Sequence, residues 1–368
     1  MNISTTKKEL QTAFSKLIKT SQTRSQNPLI NYTYISSGAH GVTLHSTDLE
    51  VGIKTNITAS VNTDGEGLFP TSELNDIISV IDEGRVDIEI AGPHINIKSE
   101  KGTSFDIPTL PFQEYPKVPE NKHETIYNID TSELKKILDA MTYAINKDQL
   151  KPALGGALFS FSEEGLNFVS TDGHRLVVIT KKNDSNIMED FIIPKKYLNM
   201  LSAFIQGQKE SSLIFSNDHV FINNDGDILY SRLIDEKYPN YNAVIPQENP
   251  YVLKLQKEDF LNSIKATSIA TNKNTNQISL NLSEGKVYFK SVNQPESKTV
   301  YAPLKTAEYS GEDISIGFNA LYLKEAVSKY NNENIVFSFK DSLSATLFLP
   351  KIDDQKTTIL LMPVRIND

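Results

Sequence analysis

The chain has 368 residues, a formal net charge of −9 and no cysteine. The missing cysteine excludes disulfides, thiolate metal ligands and cysteine nucleophiles, and the acidic balance argues against a generic nucleic-acid binder that is basic over its whole surface. With no apolar leader of signal-peptide length and no run approaching a membrane span, the chain is expected to be intracellular and cytoplasmic, and its length allows two or three domains.

In chain order, Leu10, Phe14, Leu17 and Ile18 fall at the spacing of a buried helix stripe, ended by a polar stretch that closes at Pro28. Alternating patterns predict strands over residues 32–36, 41–45 and 51–61. Thr71 or Ser72 is the expected cap of a second helix through Leu74, Ile77, Ile78 and Ile81, stopped by Gly84, and strands are predicted over 86–90, 94–99 and 104–107. The same order then recurs. Asp130 or Thr131 caps a helix carrying Leu134, Ile137, Leu138 and Met141, a loop covers 146–156, strands cover 157–161, 166–169 and 175–180, and a helix spans 195–204 before further strands. On the third pass Phe260, Ile264 and Ile269 mark the first helix, and Leu321, Leu323, Ala326 and Val327 the second. Residues 115–124 and 238–251, rich in proline and polar side chains, read as linkers.

This recurrence has a fixed period. Ser46-Thr47-Asp48 and Ser170-Thr171-Asp172 lie 124 residues apart, and the helix-opening Leu74, Leu198 and Leu323 are separated by 124 and 125. Phe112-Gln113-Glu114-Tyr115-Pro116 is matched by Asp235-Glu236-Lys237-Tyr238-Pro239, and more loosely by Leu361-Met362-Pro363 at the chain end. One supersecondary unit is therefore used three times. The fold class is α+β, with two helices packed on antiparallel sheets in each of three domains, at 1–120, 121–247 and 248–368.

Asp172-Gly173 between two strand-like runs is a tight-turn signal, and neighbours on such a turn rarely orient one another as acid and base. The turn either is purely structural or exposes His174 and Arg175 to a partner. The six histidines are scattered without metal-ligand spacing, no phosphate-binding glycine motif is present, and Gly155-Gly156 reads as a close backbone turn. At the end of the chain, Leu360 and Leu361 suit a completing strand, whereas Met362-Pro363-Val364 suits either that strand or an exposed apolar binding surface. The positive charges are unevenly spread: Lys7, Lys8, Lys16 and Lys19 share the first helix with Glu9 alone, and Lys195 and Lys196 open another.

Together, Ser46-Thr47-Asp48-Leu49-Glu50, Thr171-Asp172-Gly173-His174-Arg175-Leu176, Tyr238-Pro239-Asn240-Tyr241 and the terminal Met362-Pro363-Val364-Arg365-Ile366 resemble the bacterial DNA polymerase III beta subunit family, the sliding clamps, over the whole chain. The resemblance implies a head-to-tail homodimer, a closed ring of six clamp domains whose helices surround duplex DNA without reading bases. It implies neither catalysis nor a cofactor. By matched position, Arg24, Gln149, Lys151, Lys195 and Lys196 would touch DNA. A groove for short apolar peptides would be walled by Leu154, Thr171, Gly173, His174, Arg175, Leu176, Pro239, Val244, Asn319, Tyr322, Met362, Pro363, Val364 and Arg365. The implied partners are the DNA polymerase III alpha subunit, the clamp-loader complex, and other polymerases and repair proteins that carry such a peptide. Pro152, Ala153 and Ala243 depart from residues common in the family, and the acidic run near the dimer edge is reduced to Glu296 beside Lys298, with Phe105 as the apolar contact expected there. Set against this are a repeat-built scaffold unconnected with DNA and, further off, a hydrolase using Asp172 and His174.

Overall fold

The computed structural model describes residues 1–21, 27–38, 41–120, 125–148, 150–329, 332–348, 351–352 and 355–366. The first repeat holds β1 (Asn2–Thr6), α1 (Lys7–Leu17), β2 (Tyr32–Gly38), β3 (Gly41–Thr47), β4 (Val51–Ile57), β5 (Ser60–Thr63), β6 (Gly65–Pro70), α2 (Thr71–Val80), β7 (Arg85–Ala91), β8 (His94–Ser99) and β9 (Ser104–Pro108). The second holds β10 (Thr125–Asp130), α3 (Thr131–Met141), β11 (Gly156–Ser162), β12 (Gly165–Thr171), β13 (Arg175–Lys181), β14 (Asp190–Pro194), α4 (Lys195–Phe204), β15 (Glu210–Phe215), β16 (His219–Asn224) and β17 (Asp227–Arg232). The third holds β18 (Tyr251–Gln256), α5 (Lys257–Ser268), β19 (Gln277–Ser283), β20 (Lys286–Asn293), β21 (Lys298–Pro303), β22 (Glu308–Ser310), β23 (Ile314–Asn319), α6 (Ala320–Ser328), β24 (Asn334–Phe339), β25 (Thr346–Phe348), β26 (Lys351–Ile352) and β27 (Gln355–Leu361).

These elements gather into two compact units. One comprises Met1–Thr131 and Asn199–Leu233, the other Ser132–Leu198 and Ile234–Asp368. In the first unit an antiparallel five-stranded sheet runs β5-β1-β7-β8-β9, and an eight-stranded sheet runs β10-β15-β16-β17-β4-β3-β2-β6. Helices α1 and α2 pack on one another. Their buried faces, Leu10, Phe14 and Leu17 on α1 and Leu74, Ile77 and Ile78 on α2, supply the core, because a helix with one apolar stripe must bury it. The Thr6 hydroxyl caps α1 by accepting the Glu9 N–H at 3.2 Å. Pairing of β17 with β4, from Ile228↔Lys54 to Ser231↔Val51, carries this sheet across residue 120, where the repeats meet.

The second unit repeats the plan. A ten-stranded sheet contains the path β14-β11-β12-β13-β27-β25-β24-β18-β22, with β26 on β27, and a four-stranded sheet runs β21-β20-β19-β23. Helices α5 and α6 pack together, and α5 lies on β20 and β21. The last strand, β27, pairs with β25 and also with β13 in the register Arg175↔Leu361 and Leu176↔Leu360. Leu360 and Leu361 are buried accordingly.

Several local expectations change. The run 51–61 is two strands, because the chain leaves the eight-stranded sheet after Ile57 and enters the five-stranded one at Ser60. Neither Thr71 nor Ser72 caps α2: Pro70 holds that position without a side-chain bond, and the Thr71 hydroxyl instead meets that of Thr33 at 2.9 Å. Nor does Gly84 end that helix, since Ile81 is already extended. Ile269 follows α5 and is 78% exposed, and Leu321 is 50% exposed while Ala320 faces the core. Gly155 ends a 3₁₀ turn at Pro152–Gly155, as expected, and Gly156 is the first residue of β11. A Cβ there would stand 2.6 Å from the Ile193 carbonyl oxygen, so close strand packing accounts for the glycine.

His45 is buried in the eight-stranded sheet, its Nε2 2.8 Å from the Tyr230 hydroxyl. Burial first, and Lys54 second, hold the imidazole down at about 4 against an ordinary 6.5. Because the folded value lies below the unfolded one, the unfolded chain takes up the proton first. Stability is therefore complete above pH ~6.5 and is lost as pH falls towards ~4, by about 3 kcal/mol in all. In scanning calorimetry at pH 7 and 4.5, the wild type is expected to lose more Tm than His45→Gln. Equal losses would show that this imidazole does not carry the acid sensitivity.

Candidate functional site

The turn joining β12 to β13 is built by its own side chains. Thr171 Oγ1 accepts the Gly173 N–H at 3.0 Å and donates to the Arg175 carbonyl at 2.6 Å. Asp172 Oδ1 accepts the N–H groups of His174 and Arg175 at 3.0 and 3.1 Å. Gly173 has φ +87°, a conformation that side chains rarely adopt, which is why the tight turn carries glycine here. Asp172 Oδ2 accepts from Arg175 Nε at 3.0 Å, so this carboxylate serves the turn and the arginine rather than an imidazole.

Arg175 is buried, and each of its three guanidinium nitrogens donates a hydrogen bond. Besides Asp172, its guanidinium donates to the Tyr143 carbonyl at 2.7 Å and to the Glu325 carboxylate of α6. Its Cζ lies 4.9 Å from the Tyr143 ring centroid and 4.5 Å from that of Tyr322. A planar, always-charged fork is the side chain suited to joining two carboxylates, a carbonyl and two ring faces. The exposed His174 ring stacks on Tyr322 at 5.8 Å and 24°. Tyr322 is itself set by Asn319, whose Oδ1 caps α6 by accepting the N–H groups of Leu321 and Tyr322 at 2.9 and 3.3 Å.

The C-terminal tail joins the same place. The Met362 N–H donates to the His174 carbonyl at 2.8 Å, and the Val364 N–H to the Gly317 carbonyl at 2.9 Å. A Cβ on residue 317 would stand 2.3 Å from the Val364 carbonyl oxygen, so only glycine lets the tail lie against β23. Gln277 Nε2 holds the Arg365 carbonyl at 3.1 Å. Met362 is 37% exposed and Val244, in a short 3₁₀ turn at Tyr241–Val244, is 53% exposed. Pro363 and Val364 are half-buried, and Pro239 and Arg365 are exposed.

Beneath this rim lies an apolar cluster of Leu154, Leu158, Val169, Leu176, Val178, Ile192, Tyr238, Ala345, Leu347 and Leu360, against which Ile234, Tyr241 and Ile245 pack. Of these, only Leu154 and Leu176 stand among the wall residues expected from sequence. The others are inward positions of strands, where a one-residue alternation marks the face but cannot say which cluster it joins. Tyr143 and Glu325, which hold Arg175, were signalled by nothing in the sequence. All the expected wall residues lie in the second unit. An apolar floor with exposed Met362 and Val244 beside a fixed His174–Tyr322 stack is chemically suited to receiving apolar side chains.

The expected phosphate-facing residues fall less evenly. Arg24 and Gln149 lie outside the described residues. Lys151 is exposed, whereas Lys195 is half-buried and donates to the Ile145 carbonyl at 2.7 Å. Burial, aided by Lys147, lowers the Lys195 ammonium, and burial lowers that of Lys196. On α1, Lys16 is paired with Asp227 at 2.5 Å and Lys7 with Glu83 at 3.0 Å. Among the described residues there is no group of three histidine or acidic side chains placed to hold a metal, and no helix is long and apolar enough to cross a membrane.

Comparison with known proteins covers the whole chain. Residues 1–119, 128–240 and 242–365 match, in turn, the N-terminal, central and C-terminal domain families of the DNA polymerase III beta subunit. The beta sliding clamp of Pseudomonas aeruginosa is 25% identical over 348 residues, covering 93% of this chain and 94% of that one, and the beta sliding clamp of Rickettsia bellii is 27% identical over 349 residues, covering 88% of each. Among solved structures, the DNA polymerase III subunit beta of P. aeruginosa superposes over both full chains with a TM-score of 0.92 at 23% identity. The sliding clamp of Bartonella birtlesii bound to griselimycin does so at 0.92 and 24%. At these identities the superpositions speak to the fold.

Proposed function

The chain belongs to the DNA polymerase III beta subunit family, and from this we propose that it is a sliding clamp, the non-catalytic subunit that tethers the replicative polymerase to DNA. The observation that carries the reading is that all three family domains occur once each, in order, over nearly the entire chain. We assign the modules to residues 1–120, 121–247 and 248–368. Two chains joined head to tail close a ring of six modules around duplex DNA in the cytoplasm. The free sides of β9 and β21, edge strands of the five- and four-stranded sheets, are suited to pair with one another between chains.

Inside such a ring only non-specific, screened contacts with phosphate are needed, so an acidic chain serves as long as some cations face the hole. Lys151, Lys195 and Lys196, with Arg24 and Gln149, are the residues we assign to that role. The half-burial of Lys195 supports a fixed donor rather than a free-swinging charge.

The rim of His174, Tyr322, Met362 and Val244 over its apolar floor is the proposed docking groove for short peptides of the polymerase III alpha subunit, the clamp loader and other polymerases and repair proteins. A peptide anchored by two or three apolar side chains binds at roughly micromolar Kd, about 8 kcal/mol, which allows exchange. Met362→Ala and His174→Ala are each expected to weaken an apolar partner peptide about tenfold, with the mass of the assembly unchanged. A titration giving wild-type affinity for both would remove the groove assignment. Retention on nicked circular DNA with release on linearisation tests encirclement itself, and equal release from both forms would refute it.

A further inference from the structure

A cavity of about 450 Å³ in the first unit has Tyr34, His45, Lys54, Glu66, Phe112 and Tyr115 among its walls, none of them a residue assigned to the groove or to DNA. The internal repeat gives it a counterpart. Tyr34, His45 and Lys54 form one cross-strand row over β2, β3 and β4, through the pairs Tyr34↔His45 and His45↔Lys54. Moved on by 124 residues, the row becomes Leu158, Val169 and Val178, paired in the same way over β11, β12 and β13. Tyr115, moved by 123, becomes Tyr238. Those four residues belong to the apolar floor under the groove of the second unit. The same scaffold position is thus concave in the first unit but lined by a different chemistry.

That chemistry selects its occupant. Tyr34 and Tyr115 stack at 5.8 Å and 17°, and Phe112 is tilted at 53° over Tyr34; Tyr115 is buried, whereas Tyr34 and Phe112 are half-buried and keep ring surface for another aromatic side chain. His45 sits at the back with its Nε2 committed to Tyr230. The lining carries two cations, Lys54 and Lys117, against one carboxylate, Glu66. Among the described residues neither lysine makes an ion pair, so an entering anion meets unspent positive charge.

We propose that this cavity is a second peptide-docking site, which takes a partner segment presenting an aromatic side chain next to a carboxylate. The proposal rests on the groove reading above for its choice of a peptide as ligand. A ring with both sites would hold two kinds of partner on one chain through unlike sequences, the apolar peptide in the second unit and the acidic aromatic one in the first.

The probe is the dipeptide acetyl-Asp-Phe amide, titrated into the full-length protein by ligand-observed NMR, with acetyl-Leu-Phe amide as its apolar counterpart. Saturable binding of acetyl-Asp-Phe amide at roughly millimolar Kd is expected, as suits so small a ligand. Lys54→Glu should raise that Kd more than tenfold and Glu66→Lys should lower it severalfold, a gain that mere misfolding would not produce. His174→Ala should leave it unchanged while weakening acetyl-Leu-Phe amide. Absence of saturation, an unaltered Kd in Lys54→Glu, or loss of acetyl-Asp-Phe binding in His174→Ala overturns the second site. Failure of acetyl-Leu-Phe amide alone, with the charge dependence intact, would remove the groove reading and leave this cavity as a binding site.

Discussion

Asp106→Pro is expected to halve the mass of the assembly in solution, from two chains to one of 41.2 kDa, and to abolish retention on circular DNA. Asp106 sits opposite Asn96 in the β8–β9 ladder. The flanking bonds, Ser99 N–H to the Thr103 carbonyl and Thr109 N–H to the Pro93 carbonyl, set the register in which Ile97 with Phe105, and Ile95 with Ile107, exchange bonds. The Asp106 N–H therefore points away from β8, along the free edge. Proline at such a position spares the ladder within the sheet, as Pro108 already does two residues on, but removes an edge donor and places a ring where a partner strand must approach. The lost donor costs about 1 kcal/mol and the clash of the ring with the approaching strand adds to it, so the dissociation constant rises by at least roughly tenfold. The half-buried Phe105 beside it is the side chain we expect to be covered on pairing. Sedimentation at submicromolar concentration checks the result, and an undiminished dimer would mean that the ring does not close through β9.

Arg175→Ala is expected to lower stability by about 4 kcal/mol and to cost the groove most of its peptide affinity while leaving the dimer mass intact. The loss removes donors to Asp172, Glu325 and the Tyr143 carbonyl, and it empties the space between the Tyr143 and Tyr322 rings. Asp172 keeps its two backbone N–H partners, and Glu325 is half-exposed, so neither carboxylate is fully stranded and the effect stays below the worst case for a broken buried pair. Without the guanidinium, however, α6 is no longer tied to the turn, and His174 and Tyr322 lose their fixed spacing. Arg175→Lys should recover little, since an ammonium cannot span three acceptors in one plane. Urea melts and a peptide titration check the two parts separately. A variant of wild-type stability would show that this contact set is idle, and unchanged peptide affinity in a destabilised protein would show that the turn and α6 need not be joined for docking.

These two residues differ in how readable they were. Asp106 lies in a predicted strand, but that its strand is an edge with one unpaired side depends on sheet order, which no local pattern encodes. The motif around Arg175 places it on the groove wall, as though it faced a ligand. The structure encloses its guanidinium instead, and Tyr143 and Glu325, its partners 32 and 150 residues away, carry no pattern that would have drawn attention to them. The lysines proposed to face DNA tell a similar story: Lys195 reads as a surface charge at a helix start, yet the carbonyl of Ile145, 50 residues earlier in the chain, takes one of its hydrogen bonds.

The repeated unit, its alternation of helices and strands, the tight turn at Asp172-Gly173 and the family are all legible in the residue order alone. All of these rest on short-range periodicity and on motifs whose spacing along the chain is their meaning. Which strands of different repeats become neighbours is settled instead by long-range packing. β17 pairs with β4, β27 pairs with β13, and the row Tyr34–His45–Lys54 takes the position of Leu158–Val169–Val178. Strand alternation fixes the face of each side chain, but backbone hydrogen bonding is the same for every sequence. The partner across an edge is therefore chosen by the packing of whole units, and with it the floor of the groove and the walls of the cavity.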